Sequence, residues 1–286
     1  MASVERPILM MNDDLPLRTY GSTGPRVVVL HGGPGARGSA GPLARGLAGA
    51  FRVLEPWQRG SGDEPLSVAR HIEDLHRLIL TRCPDEKPAL VGESWGAMLA
   101  LAYSATHPDT AGPIVLVGCG TFDPIARARM KAILEERTSP PLRHRLERLE
   151  TDYPDPAERL RKHYDLIRPL YDYDAEEKGS EEGPSEPFDM RAHTETWDDM
   201  VRLQEEGVYP EAFAAIRSPV LMLHGAYDPH PGRMILASLA AYLPRLEYRE
   251  WEKCGHRPWA ERHIREEFFA SLRNWLAKKM EGSRDY

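Results

Sequence analysis

The sequence predicts an α/β fold, a mostly parallel sheet flanked by helices, with a helical cap inserted in it. Three observations lead to this prediction. Short, continuously apolar runs recur along the chain, and such runs are typical of strands covered on both faces. Helix-like segments alternate with the early runs, as the crossovers of a parallel sheet require. A long, charge-rich stretch of helical pattern then separates the early runs from the late ones.

The first part of the predicted core, residues 1–120, holds most of the strands. Residues 6–11 and 15–20 flank the turn Asn-Asp-Asp, which indicates an antiparallel hairpin at the edge of the sheet. Buried strands are predicted at 26–30, 89–91 and 114–117, and helices at 40–50, 67–82 and 95–106.

The predicted cap covers residues 121–213, where the sequence has no strongly apolar strand. Within it, residues 171–189 are rich in acids, and repulsion among like charges predicts a solvated loop. The second part of the core, residues 214–286, begins with an apolar strand at 220–223. An amphipathic stretch at 246–251 and a C-terminal helix at 260–279 follow, and we expect that helix to pack on the sheet.

Composition and charge exclude several classes of function. Of the 286 residues, 37 are basic and 44 are acidic, and the net charge of −7 gives a nucleic-acid partner no electrostatic support. The sequence has no secretory signal and no apolar run of membrane length, and Cys83, Cys119 and Cys254 lack paired spacing. We therefore expect a cytoplasmic protein with reduced thiols and no membrane partner. Its oligomeric state stays open.

The strongest chemical signal is the run Gly92-Glu93-Ser94-Trp95-Gly96, between a predicted strand and a predicted helix. It matches the Gly-x-Ser-x-Gly nucleophile elbow, in which the serine occupies a strained turn. The two glycines allow the neighbouring backbone to pass closely, and the helix that follows directs free N–H groups at developing negative charge. Ser94 is thus the candidate nucleophile.

A second glycine-rich loop, residues 31–35 (HGGPG), directly follows the first buried strand. An oxyanion hole needs one N–H from the residue after the nucleophile and one from a loop in this place. We expect the backbone N–H groups of Trp95 and Gly33 to be these donors, with Gly32 as the alternative to Gly33. His31 is expected to hold the loop.

The other members of a catalytic triad are expected after late strands, the acid before the histidine. Asp228 follows the strand at 220–223 and His256 follows the stretch at 246–251, so His256 is the candidate base and Asp228 its orienting acid. The rival His230 lies only two residues after Asp228, which argues against orientation by that acid. His71 and His76 lack a following ligand, so the sequence predicts neither a metal site nor a cofactor.

With these residues placed, the chain resembles the α/β-hydrolase superfamily, and within it the proline iminopeptidase family of serine aminopeptidases. The likeness is carried by HGGPG at 31–35, QRGSG at 58–62, SWG at 94–96, GAYD at 225–228 and CGHRPW at 254–259. It covers roughly residues 26–120 and 219–259. Where that family usually has an aspartate before Gln-Arg-Gly, this sequence has Trp57.

The resemblance implies a serine hydrolase without a cofactor that acts by acyl transfer on a small amide or ester, most of all an aminopeptidase or amidase. In such peptidases, carboxylates of the cap bind the free amino group of the substrate. Glu195 and Glu205 (beside Glu206) are the candidates here, and Trp57 and Trp259 are candidates for an apolar pocket. A carboxylesterase or lactonase is the alternative, and a lyase or a ligand-binding module on the same fold is a further one.

Overall fold

The structure is a computed structural model and describes residues 15–176 and 187–281. The predicted hairpin strand at 6–11 and most of the acid-rich stretch at 171–189 lie outside these residues. The described strands are β1 Leu17–Tyr20, β2 Arg26–Leu30, β3 Arg52–Pro56, β4 Ala89–Glu93, β5 Ile114–Val117, β6 Val220–Gly225 and β7 Leu246–Trp251.

The strands form one sheet in the order β1-β3-β2-β4-β5-β6-β7. Every neighbouring pair is parallel except β1 with β3. The α-helices are α1 Gly41–Leu47, α2 Val68–Arg82, α3 Trp95–Thr106, α4 Pro124–Arg137, α5 Pro140–Glu147, α6 Leu149–Asp152, α7 Pro156–Ile167, α8 Met190–Glu205, α9 Gly232–Ala240 and α10 Arg265–Glu281. The predicted fold class, a mostly parallel sheet flanked by helices, is confirmed.

The strand β3 is the main element that the sequence analysis did not predict. Arg52 and Glu55 interrupt its apolar run, although Glu55 is fully buried in the sheet. The structure supplies the missing partners, because Arg18 Nε (2.7 Å) and the Tyr20 hydroxyl (2.6 Å) both donate to Glu55 Oε2. A buried carboxylate is tolerated when charged and polar donors satisfy it, so a strand with a charge in its centre is stable here.

The sheet separates two apolar layers, and helix α3 fills the centre of one of them. From Trp95 to Ser104 every residue of α3 is buried, so the helix is apolar all round and not amphipathic. The other layer contains α1 and α10. Helix α10 begins at Arg265, five residues after the predicted start at residue 260, because residues 260–264 form turns.

The inserted segment, which is the predicted cap at residues 121–213, contacts the rest of the chain through carboxylates and through buried apolar side chains such as Met200 and Phe213. On α8, Glu195 accepts a hydrogen bond from the Leu66 N–H (2.9 Å). One turn later, Asp199 accepts one from the Val68 N–H (2.8 Å), at the start of α2. These bonds place α8 against the loop that leads into α2.

Asp189 joins the segment to two further loops. Its Oδ1 caps α8 by accepting from the Ala192 N–H (3.0 Å), and its Oδ2 accepts from the backbone N–H and hydroxyl of Ser61 (2.8 Å each). Its own N–H donates to the Gly35 carbonyl (3.0 Å), and a Cβ on Gly35 would lie 2.0 Å from the Asp189 carbonyl oxygen. Backbone therefore packs on backbone at this point.

Glu261 makes the reverse connection: it is a buried carboxylate of the core that binds N–H groups of the inserted segment. It accepts hydrogen bonds from the N–H groups of Tyr173 (2.8 Å) and Asp174 (2.7 Å) in the inserted segment. It also accepts one from the Gly255 N–H (2.7 Å), directly before His256. We call the four carboxylates that join the inserted segment to the core the seam: Asp189, Glu195, Asp199 and Glu261.

Two further expectations concern the whole chain. Among residues 15–176 and 187–281, no helix has both the length and the apolar character that a membrane crossing needs. Cys83, Cys119 and Cys254 are all buried free thiols. Burial raises the pKa of the Cys83 thiol to about 11, so this thiol is uncharged at neutral pH.

Candidate active site

Ser94 occupies a strained turn between β4 and α3. Its φ of 50° is the only positive φ of a non-glycine residue in the part of the chain that the structure describes. A Cβ on Gly92 would lie 2.2 Å from the Gly96 carbonyl oxygen, and one on Gly96 would lie 2.3 Å from that of Leu30. Both glycines are therefore required by close backbone packing, which holds Ser94 in a conformation that L-residues rarely adopt.

His256 and Asp228 are hydrogen-bonded to each other. His256 Nδ1 lies 2.7 Å from Asp228 Oδ2, and the carboxylate is completely buried while the imidazole is 15% exposed. Because Nδ1 is bound to the carboxylate, Nε2 is the nitrogen available to act as a base.

The charges around this pair favour ionised Asp228. Burial alone would raise the pKa of Asp228, but the surrounding histidines, His256 first, hold it well below its ordinary value. Burial alone would lower the pKa of His256, but the attraction of Asp228 outweighs it and raises the pKa above the ordinary value. The carboxylate therefore stabilises an imidazolium at position 256.

Ser94 and His256 both lie beside the end of β5. The Ser94 N–H donates to the Val117 carbonyl (2.8 Å), and the next residue, Gly118, lies against the imidazole of His256. A Cβ on Gly118 would be 2.9 Å from His256 Nδ1 and 2.8 Å from the His256 carbonyl oxygen. The structure thus brings the predicted nucleophile and the predicted base to the same edge of the sheet.

The loop at residues 31–35 runs beside Ser94, and its first glycine is already engaged. The Gly32 N–H donates to Glu93 Oε1 (2.9 Å), whereas Gly33 turns with a φ of +47°. Trp95 is the first residue of α3, so its N–H has no acceptor within the helix. This arrangement favours Gly33 over Gly32 as the second oxyanion donor.

His31 and Gln58 join this loop to the Gln-Arg-Gly loop. The Gln58 N–H donates to His31 Nε2 (3.1 Å), and its side-chain amide donates to the His31 carbonyl (3.0 Å). The Gln58 side-chain oxygen accepts from the Trp95 indole N–H (2.7 Å). Burial lowers the pKa of His31 to about 4, so this imidazole is neutral at pH 7 and holds the loop.

Glu93 is a site residue whose role the sequence analysis left open. It is 8% exposed and accepts from the Gly32 N–H and the Ser39 hydroxyl (3.3 Å). Burial raises the pKa of its carboxyl, and this effect outweighs the bond from Gly32, the largest of the opposing influences. The carboxyl directly before Ser94 thus holds the loop at residues 31–35 through the Gly32 N–H.

The reason given above for setting His230 aside is wrong. Asp228 Oδ1 accepts from both the His230 N–H and His230 Nδ1, at 2.9 Å each, because the chain turns back on the carboxylate within two residues. The His230 ring is stacked on that of His256, with centroids 4.7 Å apart and planes 22° apart. Sequence spacing does not reveal such a turn, although the Asp-Pro-His-Pro run is typical of one.

Tyr171 is a second residue that the sequence analysis missed. Its carbonyl accepts from the His256 N–H (2.8 Å), and its ring lies edge-on to that of His256, with centroids 5.6 Å apart. The next residue, Asp172, pairs with Arg257 (3.1 Å). The inserted segment thus contacts His256 through a backbone carbonyl, which carries no sequence signal, and contacts Arg257 through the Asp172 carboxylate.

The recorded contacts of the four predicted substrate-binding residues are with other parts of the protein. Trp57 is 7% exposed and packs beneath the guanidinium of Arg18 (5.2 Å), while Trp259 is 6% exposed and packs on Phe268 (6.3 Å). Glu195 belongs to the seam and also pairs with Arg191 (2.6 Å). Glu205 is exposed at the end of α8, beside Lys131 and Trp197. The contacts of Trp57, Trp259 and Glu195 thus give them packing or joining roles.

Within the described residues, one group of side chains is close enough together to share a cation. The ligand atoms of Asp228, His230 and His256 all lie within 4.8 Å of one another. Both imidazoles already use Nδ1 to bind the carboxylate, so a cation would compete with these hydrogen bonds and with the base.

Comparison with known proteins agrees with this fold. Residues 25–260 match the family model of the alpha/beta hydrolase fold. A probable proline iminopeptidase of Streptomyces coelicolor is 37% identical over 110 residues, which cover 34% of this chain and only 34% of that protein. A 2-hydroxy-6-oxononadienedioate/2-hydroxy-6-oxononatrienedioate hydrolase of Paraburkholderia phymatum is 26% identical over 267 residues, covering 88% and 87% of the two chains.

Solved structures show the same fold over nearly the full length. A thermophilic esterase from Thermogutta terrifontis superposes with a TM-score of 0.61 at 20% identity, covering 98% of this chain and 99% of that one. A serine hydrolase involved in carbazole degradation gives 0.63 at 17% identity, covering 97% and 99%. At these identities the likeness is one of fold.

Proposed function

We propose that this chain, which belongs to the alpha/beta hydrolase fold family, is a serine hydrolase that acts by acyl transfer on a small ester or amide. Ser94 is the nucleophile, His256 the general base and Asp228 the acid that orients it. One observation carries the proposal: a serine in a strained turn lies at the same sheet edge as an imidazole bound to a buried carboxylate. A hydroxyl beside an imidazole–carboxylate pair is the combination that acyl transfer requires, and this supports the proposal.

The reaction begins when Ser94 Oγ attacks the carbonyl carbon of the substrate. His256 Nε2 takes the hydroxyl proton, and Asp228 stabilises the imidazolium through Nδ1. The oxyanion forms between the N–H groups of Gly33 and Trp95, each of which is expected to contribute about 3 kcal/mol to stabilising the transition state. His256 then gives its proton to the leaving group, and water activated by the same nitrogen releases the acid.

The site supports an ester or simple amide better than a peptide with a free amino group. An aminopeptidase needs an acid within the cap to bind that amine. Of the candidates, Glu195 is bound to Leu66 and Arg191, Glu206 is paired with Arg202 (2.6 Å), and Glu205 is exposed. An aminopeptidase or amidase of the proline iminopeptidase type is the second candidate, favoured by the HGGPG, SWG and CGHRPW motifs and by the identity over 110 residues.

Labelling with a fluorophosphonate probe tests the proposed mechanism. The wild-type protein is expected to label and to hydrolyse p-nitrophenyl esters, and Ser94→Ala is expected to lose both, with turnover falling about 10⁴-fold or more. His256→Ala is expected to lose turnover while it stays folded. Labelling that persists in Ser94→Ala would contradict the assignment, and products formed without water would indicate a lyase.

A matched pair of substrates separates the two candidate functions. An amino-acyl p-nitroanilide and its N-acetylated form differ only in the free amine. A peptidase that binds the amine through a carboxylate cleaves the free form faster, whereas an esterase or general amidase cleaves both alike. A strong preference for the free amine would therefore overturn our choice of the ester or simple amide.

A further inference from the structure

Two imidazoles share the carboxylate of Asp228, and one of them has no part in the mechanism above. We propose that His230 is a positioning residue for the base: it occupies one oxygen of Asp228 and one face of His256, so that His256 keeps a single orientation and only one of the two rings is protonated at a time. This inference rests on the proposed function, because it concerns the same base.

The hydrogen bonds divide the carboxylate between the two rings. Oδ1 accepts two bonds from His230, from its N–H and from Nδ1, at 2.9 Å each. Oδ2 accepts the single bond from His256 Nδ1, at 2.7 Å. Since His230 saturates Oδ1, the carboxylate cannot rotate freely, and Oδ2 stays directed at the base.

The stacked rings fix the orientation of the base. With centroids 4.7 Å apart and planes 22° apart, the His230 ring covers one face of His256. Tyr171 closes the neighbouring space, with its ring centroid 5.6 Å from His256 and 6.0 Å from His230. Rotation of His256 about its side-chain bonds would collide with one of these rings.

His230 is itself held in place by a third histidine, His224. His224, fully buried on β6, places its Nε2 2.8 Å from the His230 carbonyl oxygen and 3.4 Å from Asp228 Oδ2. The backbone of His230 is thus fixed through its carbonyl, and its ring is fixed through Asp228. Four side chains form one connected unit: His224, His230, Asp228 and His256.

The two imidazoles of His230 and His256 share the one negative charge of Asp228, because both are bound to this buried carboxylate. Burial lowers the pKa of His230, whereas the attraction of Asp228 outweighs burial at His256 and raises its pKa. The first proton therefore goes to His256, and it opposes a second proton on the stacked ring. Among the described residues, the ionisable groups that interact with the two rings or with their shared carboxylate are Asp228, His224, Tyr171, Glu93, Asp172, Cys119, Tyr248 and Cys254.

Removal of His230 is expected to act on the pKa of His256 in one direction. It takes a hydrogen-bond donor from Asp228, uncovers one face of His256, and removes a neighbour that can become positive. Each of these changes favours the imidazolium, so the pKa of His256 rises. A base with a higher pKa is neutral over a narrower range, and the acidic limb of the activity profile moves to higher pH.

The test compares His230→Ala with His230→Asn, whose amide nitrogen can replace Nδ1 as a donor. His230→Ala is expected to lower kcat about ten- to a hundredfold, the usual effect of a hydrogen bond to a charged group, with little change in KM. It is also expected to move the acidic limb to higher pH. His230→Asn is expected to restore part of kcat and part of the position of the acidic limb. His144→Ala removes an exposed histidine of the inserted segment and is expected to leave kcat and the acidic limb unchanged.

A limb that stays in place or moves to lower pH in His230→Ala overturns the proposal, whatever happens to kcat, because a purely structural role only scales the rate. If His230→Ala does not fold, His230→Phe keeps the ring volume without the donor, and the same shift is required of it. The titration of His256, followed by NMR of isotope-labelled histidines in Ser94→Ala protein, does not depend on turnover. It therefore tests this inference even if the wild-type protein proves not to be a hydrolase.

Discussion

The turn around Ser94 and the inserted segment above it are held by different kinds of contact. At the turn, backbone packs directly on backbone, and a single added carbon on Gly92 or Gly96 would come within 2.3 Å of a carbonyl oxygen. At the seam, side-chain carboxylates bind backbone N–H groups at 2.7 to 2.9 Å. The turn is held by close backbone packing, whereas the seam carboxylates hold the inserted segment mostly by polar bonds. Asp189 is the exception within the seam, because its backbone also packs on Gly35, and buried apolar side chains such as Met200 and Phe213 add to these bonds.

We propose that this difference separates the reaction from the choice of substrate. A strained nucleophile needs surroundings that cannot relax, because relaxation would release the strain. If the inserted segment selects the substrate, its residues can be exchanged more easily when side-chain hydrogen bonds join it to the core. Such bonds can be replaced without disturbing the sheet. Changes at the turn should therefore cost folding and all activity, and changes at the seam should alter substrate binding first.

The largest effect is expected for Gly92→Ala. Its Cβ would collide with the backbone of Gly96, and we expect a loss of about 3 kcal/mol in the free energy of unfolding, with loss of Ser94 labelling. Gly49→Ala is the matched control, since a Cβ there meets nothing within 4 Å. Urea denaturation of both variants measures the effect. Equal stability of the two would show that the turn is not rigid.

A smaller effect is expected for Glu261→Gln, where the seam reaches the base. The carboxylate accepts three backbone N–H groups, and an amide in its place turns an NH₂ towards at least one of them. We expect a loss of about 2 kcal/mol in the free energy of unfolding. Because Gly255 precedes His256, kcat is expected to fall as well. A change in KM without a change in kcat would mean that Glu261, like the other seam carboxylates, affects only substrate binding.

The pH dependence of kcat/KM is expected to be set by His256, and not by the carboxylates of the seam. His256 must be neutral to act, and its raised pKa places the midpoint of the acidic limb above about 6.5. Below that midpoint, kcat/KM is expected to fall about tenfold per pH unit as the imidazolium accumulates. The profile of kcat/KM on a p-nitrophenyl ester measures this. A midpoint below the ordinary histidine value would contradict it.

The smallest effect is expected for Glu195→Gln, which weakens the bond from α8 to the Leu66 N–H. We expect KM to rise a few-fold while kcat and the acidic limb stay unchanged. Glu205→Gln, at the exposed end of the same helix, is the control and should match the wild-type protein. An equal rise in KM for both variants would mean that α8 contacts the substrate directly.

The sequence predicted the fold class and most of the central strands because buried parallel strands are apolar on both faces. It missed β3 because Glu55 is satisfied by Arg18, a partner 37 residues away in the chain. It also predicted the start of α10 too early, since the turns at residues 260–264 depend on Glu261 reaching the inserted segment. Contacts between distant residues decide both cases.

The residues of the candidate site likewise fall into those that local sequence pattern predicts and those that depend on contacts between distant residues. Ser94, Asp228 and His256 follow strand ends, and the sequence shows this by local pattern alone. Tyr171 acts through its carbonyl and has no local signature. The Asp-Pro-His-Pro run indicates a turn at His230, but it does not show that the turn brings the ring back to Asp228. The predicted roles of Glu195 and Trp259 assumed that polar or aromatic residues near the cap face the substrate, whereas the structure engages both in packing and joining.

The contact between Asp189 and Gly35 has a practical consequence for exchanging the inserted segment with that of another protein. Asp189 starts α8, binds Ser61, and lays its backbone on the loop that carries Gly33. A graft whose downstream junction falls before this aspartate keeps Asp189, and with it the host's geometry for the loop that carries the proposed oxyanion donor Gly33. A graft that replaces the aspartate must bring its own residue able to cap a helix and bridge two loops, or the chimaera loses rate together with selectivity.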